Sequence, residues 1–458
     1  MRGVALAALL GPAAFGVWAL VRLTMRYAAM VPLSAFRGLE LELLAHPAGS
    51  GPGPDRADRD AMLPARTALG FVLCATAILA AVAFGASFIV TDPRYVVMLR
   101  GFAGAVMFEQ TYGYILVCAR VRADLRRYAT LETMHAALQL VCVMTLAWLG
   151  GLTGAFAGLA LASATAIVLA VATGHRQIAL RPAMHWATLR RLLRVGVPLA
   201  INMILTAALS TADRWIVAAF GGVTMLGYYA FAAQIASVAA TFAWVIRTVI
   251  FPDVYRHARA APAQAAMALR MHLERAVLPF ARLLPPLLGA GSLVVGPVLV
   301  RVLPRYAAAV GPTRIFLLAG AASGVVSLTV IGAVAAGKQG RLPFLSGLAL
   351  AVNLALSFLA VASGAGLEFV AAASFVGQTT FAAGVLALVR RECGADDVRP
   401  FLLRALAPLG WCLGLVGLLG ALFPGTSINS AALALGLYLI LLVPLVPAMQ
   451  ADWRRIMA

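Results

Sequence analysis

Leu226-Gly227-Tyr228-Tyr229-Ala230-Phe231 echoes Leu10-Gly11-Pro12-Ala13-Ala14-Phe15, and Pro304-Arg305-Tyr306 echoes Pro93-Arg94-Tyr95. The offsets are 226 − 10 = 216 and 304 − 93 = 211 residues, so the spacing between the landmarks is nearly kept. Pro, Arg and Tyr are each scarce in this chain, and the order of the two pairs agrees. The chain therefore reads as two related halves. In a membrane protein, internal duplication points to a transporter, with its substrate site at the interface of the repeats.

Composition places the chain in the bilayer. Hydrophobic residues make up 62% of it and charged residues 12%, with a mean hydropathy of +0.94. A soluble globular protein carries about twice that charged fraction. Apolar runs near the length of about 20 residues that a spanning helix needs fall at 13 to 36, 67 to 90, 95 to 119, 130 to 150, 152 to 174, 195 to 220 and 225 to 250. Six more lie at 276 to 300, 312 to 336, 341 to 361, 367 to 389, 404 to 423 and 428 to 448. No long alternating segment suggests a barrel. The expected fold is all-α and polytopic, with two pseudo-symmetric six-helix lobes, a C-terminal helix pair and a truncated first helix. The truncation follows from the repeat: the run 195 to 220 precedes the second Leu-Gly landmark, and its partner falls largely before Met1.

The corresponding division is an N-terminal lobe at 1–174, a cytoplasmic linker at 175–194, a C-terminal lobe at 195–390, and the extra helix pair with its tail at 391–458. Ala45 to Arg66, with its Gly-Ser-Gly-Pro-Gly-Pro core, reads as a mobile loop. The net charge of +19 does not imply nucleic acid, because the arginines sit at helix ends and form no single basic face. Most of the 36 basic residues lie in alternate loops and in the tail, whereas Arg94, Arg100, Arg301 and Arg305 are those of the opposite loops. The positive-inside rule then makes the arginine-rich loops and the C-terminus cytoplasmic. Cys74, Cys118, Cys142, Cys393 and Cys412 read as buried free thiols. No metal-ligand spacing and no cofactor motif is seen, and the loops on the outer side are too short for a catalytic domain, so the chain is not read as an enzyme.

Polar groups inside the apolar runs are the candidate site. Arg22 and Arg26, four residues apart on one helix face, each cost roughly 2.5 to 3.5 kcal/mol at the centre of a bilayer. They line a polar cavity or meet a carboxylate; alternatively the helix ends are displaced and both snorkel to the interface. Glu109, beside Gln110 and on the face of Tyr112, needs a cation, and Arg22 or Arg26 could supply it. Asn202, Thr206, Ser210 and Asp213 fall at i, i+4, i+8 and i+11, a polar stripe that either lines a pathway or bonds helices together. Arg214 neighbours Asp213. Arg247, with Gln234 and Thr241 earlier on its helix, serves either phosphate binding or snorkelling. Asn353, Gln378 and Glu368 read as local helix contacts.

The run Gly196-Val197-Pro198-Leu199, then Ser210-Thr211-Ala212-Asp213-Arg214-Trp215, Leu226-Gly227-Tyr228-Tyr229-Ala230 and Phe251-Pro252 resembles the Wzx-type polysaccharide flippases. These belong to the multidrug/oligosaccharidyl-lipid/polysaccharide exporter superfamily. Leu10-Gly11-Pro12 through Phe15-Gly16 and Tyr27 is similar to the junction of that family's first two helices. The resemblance implies a V-shaped pair of lobes around a central cavity, working by alternating access. It would carry an isoprenoid-diphosphate-linked oligosaccharide across the bacterial inner membrane for lipopolysaccharide or exopolysaccharide synthesis. Polysaccharide polymerase and glycosyltransferases would be its protein partners. Arg22, Arg26, Arg214 and Arg247 are the positions that could meet the diphosphate, and Glu109 and Asp213 those that could couple an ion or balance charge. A cation-coupled drug or metabolite antiporter and a lipid II flippase of the same superfamily are the alternatives, followed by a membrane enzyme of envelope glycan synthesis.

Overall fold

The computed structural model describes residues 2–45, 54–121, 125–173, 181–260, 262–394, 397–423, 427–447 and 449–450. Among them every regular element is helical, and ten continuous helical stretches are long and apolar enough to cross a bilayer. The protein is thus an all-α, multi-pass membrane protein. Large apolar side chains left bare on helix surfaces, such as Ile89 at 83% and Trp148 at 73% exposure, are where such a chain meets lipid.

Residues Met1–Ile204 form one compact unit and Leu205–Ala458 a second. The first holds α1 (Arg2–Ala28), α2 (Met30–Ala45), α3 (Pro54–Ala86), α4 (Pro93–Val121), α5 (Leu125–Ala172) and most of α6 (Trp186–Leu209). The loop expected from Ala45 to Arg66 is shorter than that, because α3 already begins at Pro54. A proline is well placed at a helix start, where its missing N–H has no partner to lose. Likewise the linker expected at 175–194 gives way to α6 at Trp186; Leu189 and Leu192 are buried there, and a Cβ on Gly38 would stand 2.2 Å from the Leu192 carbonyl oxygen. Residues 174–180 lie outside the described set.

Helix α5 is a hairpin. Gly151 turns at φ 58°, where a side chain would be strained, and the chain folds back on itself. A Cβ on Gly154 would stand 1.8 Å from the Leu146 carbonyl oxygen, and one on Gly158 2.5 Å from that of Cys142. Close backbone approach of this kind replaces the hydrophobic drive that lipid cannot supply between helices. Against the hairpin, Phe36, Leu39, Leu69, Val72, Tyr112 and Ile115 build the core of the unit. Trp18 of α1 stacks on Phe156 at 5.5 Å, and Gly101 of α4 leaves room for that ring.

The second unit comprises α7 (Ala212–Ala260), α8 (Pro262–His272), a π-helical turn (Leu273–Val277), α9 (Leu278–Val302), α10 (Val310–Ala335), α11 (Leu342–Ala362), α12 (Leu367–Glu392), α13 (Arg399–Leu422) and α14 (Ile428–Leu441). Leu273, Val277, Val325, Leu328, Phe381 and Val385 lie in one of its cores. The final pair is tied in: Tyr438 of α14 donates to the Pro286 carbonyl of α9 at 3.2 Å.

Three further expectations need correction. The run 195 to 220 is not one helix, since α6 ends at Leu209 and α7 starts at Ala212. Ser210 and Thr211 both turn their hydroxyls back to the Ala207 carbonyl, at 2.8 and 2.7 Å, so the side chains end the helix that their apolar setting had suggested would continue. The stripe from Asn202 to Asp213 is therefore broken between Thr206 and Asp213. Second, Gly11 (φ 72°, ψ 170°) and Gly222 (φ 75°, ψ 178°) carry the same non-helical conformation inside α1 and α7. Their offset, 222 − 11 = 211, equals that of the Pro-Arg-Tyr landmarks, so the conformational counterpart of Gly11 is Gly222 and not Gly227. Of the cysteines, Cys118 and Cys412 are buried but Cys74 is exposed; a thiol behaves as a small apolar group and is at home against lipid.

Candidate functional site

Two carboxylates inside the helices organise the polar groups, one in each unit. In the first unit Glu109 projects from the middle of α4 into a cluster supplied by the α5 hairpin. Gln139 Nε2 donates to Glu109 Oε1 at 2.7 Å and Ser163 Oγ donates to the same oxygen at 2.8 Å. His135 Nε2 lies 3.0 Å from Ser163 Oγ, 3.1 Å from Gln139 Nε2 and 3.9 Å from Glu109 Oε1. His135 and Gln139 share one face of the outgoing arm at i and i+4; Ser163 comes from the returning arm. The tight glycine contacts of the hairpin are what bring the two arms within hydrogen-bond reach.

Arg22 approaches from α1. Its Nη1 stands 3.9 Å from Glu109 Oε2, an ion pair without the short contact of a hydrogen bond, and its side chain is 35% exposed against 17% for Glu109. Arg26, one turn further, is exposed in the last turn of α1. Tyr112 is buried, donates to the Leu131 carbonyl at 2.6 Å and places its ring 4.1 Å from that of His135. The arrangement is an acid held by two neutral donors, with an imidazole beside it and a guanidinium within Coulombic reach but not locked onto it.

The acid of the second unit is built differently. Asp213 lies in the first turn of α7 and is 1% exposed. Tyr229 donates to its Oδ2 at 2.6 Å and Ser374 of α12 at 2.5 Å, while the Arg214 backbone N–H donates to Oδ1 at 2.9 Å. Tyr229 is itself sealed by Phe316 of α10, ring to ring at 5.0 Å. Arg214 sits next in sequence, half-buried, with its Nε buried and without a hydrogen-bond partner among the described residues.

Other expected residues are dispersed. Thr206 lies on α6 and Ser210 in the turn after it. The side chains of Asn202 and Arg247 lie outside the described residues. Asn353 bonds the Leu209 carbonyl at 3.2 Å and accepts from Ser357 at 3.0 Å; Gln378 accepts from Ser323; both fasten helices together. Glu368 is exposed beside Gly311 and acts on Arg314 of α10. His135, Gln139 and Ser163 escaped the sequence reading. The i, i+4 pairing of His135 with Gln139 is a signal that could have found two of them.

The polysaccharide biosynthesis protein family matches over residues 5–303. No curated protein matches the sequence. Among solved structures, the lipid II flippase MurJ in an inward closed conformation is similar with a TM-score of 0.71 at 12% identity, over 99% of this chain and 96% of that one. An inward-facing multidrug resistance MATE transporter of the MOP superfamily gives 0.61 at 14% identity, over 87% and 92%. A MATE transporter of Vibrio cholerae gives 0.54 at 16% identity, over 87% and 98%. At these identities the likeness is one of fold.

Proposed function

The chain belongs to the polysaccharide biosynthesis protein family, and from that premise we propose that it is a flippase, not an enzyme, carrying an isoprenoid-diphosphate-linked oligosaccharide across the bacterial inner membrane by alternating access. The observation that carries the reading is Arg22. It is a guanidinium within a membrane helix that keeps 35% exposure and stands 3.9 Å from its carboxylate, so its fork has donors to offer a phosphate group. Arg26 lies one turn away on the same face. Arg214 and Arg247 are the further cationic candidates, and Glu109 and Asp213 the charge-balancing ones. Oligosaccharides for lipopolysaccharide or exopolysaccharide fit this chemistry, with the polymerase and glycosyltransferases as partners and the C-terminus in the cytoplasm.

Replacing Arg22 and Arg26 together by glutamine, in a strain that depends on this protein, is expected to lower polymer export at least about tenfold, the loss of one charge-assisted hydrogen bond or more. Unchanged export at normal protein abundance overturns the assignment. A second reading, a cation-coupled antiporter of the same superfamily, is favoured by the Glu109 cluster inside the helices. It predicts that Glu109→Gln abolishes drug efflux while the two arginine substitutions leave efflux intact. A lipid II flippase instead predicts loss of peptidoglycan synthesis and not of polymer export.

A further inference from the structure

Near one end of the second unit a guanidinium stands without a bonded partner. Arg314 lies four residues after the start of α10 and is half-buried. Its Nε is buried, and its side chain makes no hydrogen bond or ion pair among the described residues. Glycines of two other helices make room for it. A Cβ on Gly296 of α9 would stand 3.2 Å from Arg314 Nη2, and one on Gly420 of α13 would stand 3.3 Å from Nη1. An unbonded guanidinium within a membrane helix is costly, and an anion that supplies the missing acceptors lowers that cost.

A carboxylate stands nearby. Glu368, in the first turn of α12, lies against Gly311 in the space that a Cβ there would fill. It is exposed and, among the described residues, has no hydrogen bond or ion pair of its own. Its field reaches Arg314, but the two are too far apart to pair. Gly296 and Gly420 lie within two turns of the C-terminal ends of α9 and α13, and Arg314 and Glu368 within two turns of the N-terminal ends of α10 and α12. The charge bias of the loops, with Arg301 and Arg305 on this side, reads it as the outer end. Four residues of helix span about 6 Å, a depth comparable to the polar layer of about 5 to 8 Å on each face of a bilayer.

We propose that this end of the second unit holds the headgroup of a zwitterionic phospholipid, its phosphate on the Arg314 fork and its ammonium on Glu368. One cation and one acid that cannot reach each other match a ligand whose phosphate and ammonium are joined by a short link. The planar fork suits the phosphate, and the exposed carboxylate suits the amine. An anionic headgroup would satisfy Arg314 but set a like charge beside Glu368, and an isoprenoid diphosphate would bring more negative charge and no ammonium. A lipid seated there contacts α10 and α12 directly and reaches α9 and α13 through the fork, so it bears on the helix pair that lies outside the repeat. The site is separate from Arg22 and Glu109 in the first unit and does not depend on what the protein transports.

The test is native mass spectrometry of the purified full-length protein in detergent, with phosphatidylethanolamine and phosphatidylglycerol of identical acyl chains offered at equal concentration. The first lipid retained is expected to be phosphatidylethanolamine by about threefold or more, the worth of one partly exposed ion pair. Arg314→Gln is expected to weaken its retention about tenfold, the loss of a charge-assisted hydrogen bond. Glu368→Gln is expected to keep the phosphate contact and bring the two lipids close to equal. Glu368 is exposed, so this variant decides the question should Arg314→Gln fail to fold. Equal retention by the wild type, or a preference for phosphatidylglycerol, overturns the proposal. So does a preference that Glu368→Gln leaves in place, or phosphatidylethanolamine retention that Arg314→Gln leaves unchanged. Farnesyl diphosphate, added as a third competitor, is expected not to displace the lipid; displacement assigns Arg314 to an isoprenoid diphosphate and overturns the lipid site.

Discussion

Glu109 and Asp213 are both carboxylates inside membrane helices, yet their surroundings divide them. Asp213 is almost completely enclosed, accepts from two hydroxyls and a backbone N–H, and bridges α7 to α12. Among the described residues Glu109 takes side-chain hydrogen bonds through one oxygen, shares its cluster with an ionisable imidazole, and meets Arg22 through the other oxygen at a distance too long for a direct hydrogen bond. A buried acid whose every partner is a fixed neutral donor fastens helices. An acid that meets an arginine at 3.9 Å through one oxygen and neutral donors through the other is not fastened in that way. The comparison teaches that a formal charge inside a bilayer does not by itself mark a transport site; how its partners hold it must be read as well.

The largest expected effect tests that division directly. Asp213→Ala leaves the Tyr229 and Ser374 hydroxyls buried without an acceptor and is expected to cost about 3 kcal/mol, read as a lowered unfolding temperature in detergent. Glu109→Gln keeps a hydrogen-bonding side chain of the same shape and is expected to stay within about 1 kcal/mol of the wild type. If Glu109→Gln unfolds the protein as readily as Asp213→Ala, the two acids do the same work and the contrast is broken.

Next in size are the two glycines that share a conformation. Gly11→Ala and Gly222→Ala each force a side chain into a backbone region open to glycine alone. Both are expected to cost about 1 to 3 kcal/mol, and nothing lies within 4 Å to add a clash at either position. Equal losses in thermal unfolding sharpen the equivalence of the two positions; a loss at one only breaks it. The smallest effect separates single hydrogen bonds: Tyr229→Phe, which removes one donor from Asp213, and Ser163→Ala, which removes one donor from Glu109, are each expected to cost about 1 kcal/mol in thermal unfolding.

Much of the fold was legible because it rests on local chemistry. Long apolar runs become helices wherever they cross lipid, since no other partner exists there for the backbone, and the gap left between the runs 130 to 150 and 152 to 174 coincides with the turn at Gly151. The break at Ser210-Thr211 was not legible, because hydroxyls spaced along an apolar run look the same whether they line a helix face or turn back to end it. Only the Ala207 carbonyl, accepting both, distinguishes the cases. Of the site, Arg22 and Glu109 were conspicuous as charges where charge is costly. Ser163 was not, being one small polar residue 28 positions from His135.

The sequence by itself determined that this is a helical membrane protein with landmarks repeated at a nearly constant interval and a few ionisable groups within its spans. Hydropathy, helix length and scarce residues are properties of the chain in one dimension. The tertiary structure alone decided which of those groups meet: that the α5 hairpin closes tightly enough to join Ser163 to His135 and Glu109, that Arg22 stands near this acid without gripping it, and that Asp213 is locked between hydroxyls. Each outcome depends on how far one helix is rotated about its axis against the next. That rotation is set by the fit of small residues and side-chain volumes across the whole unit.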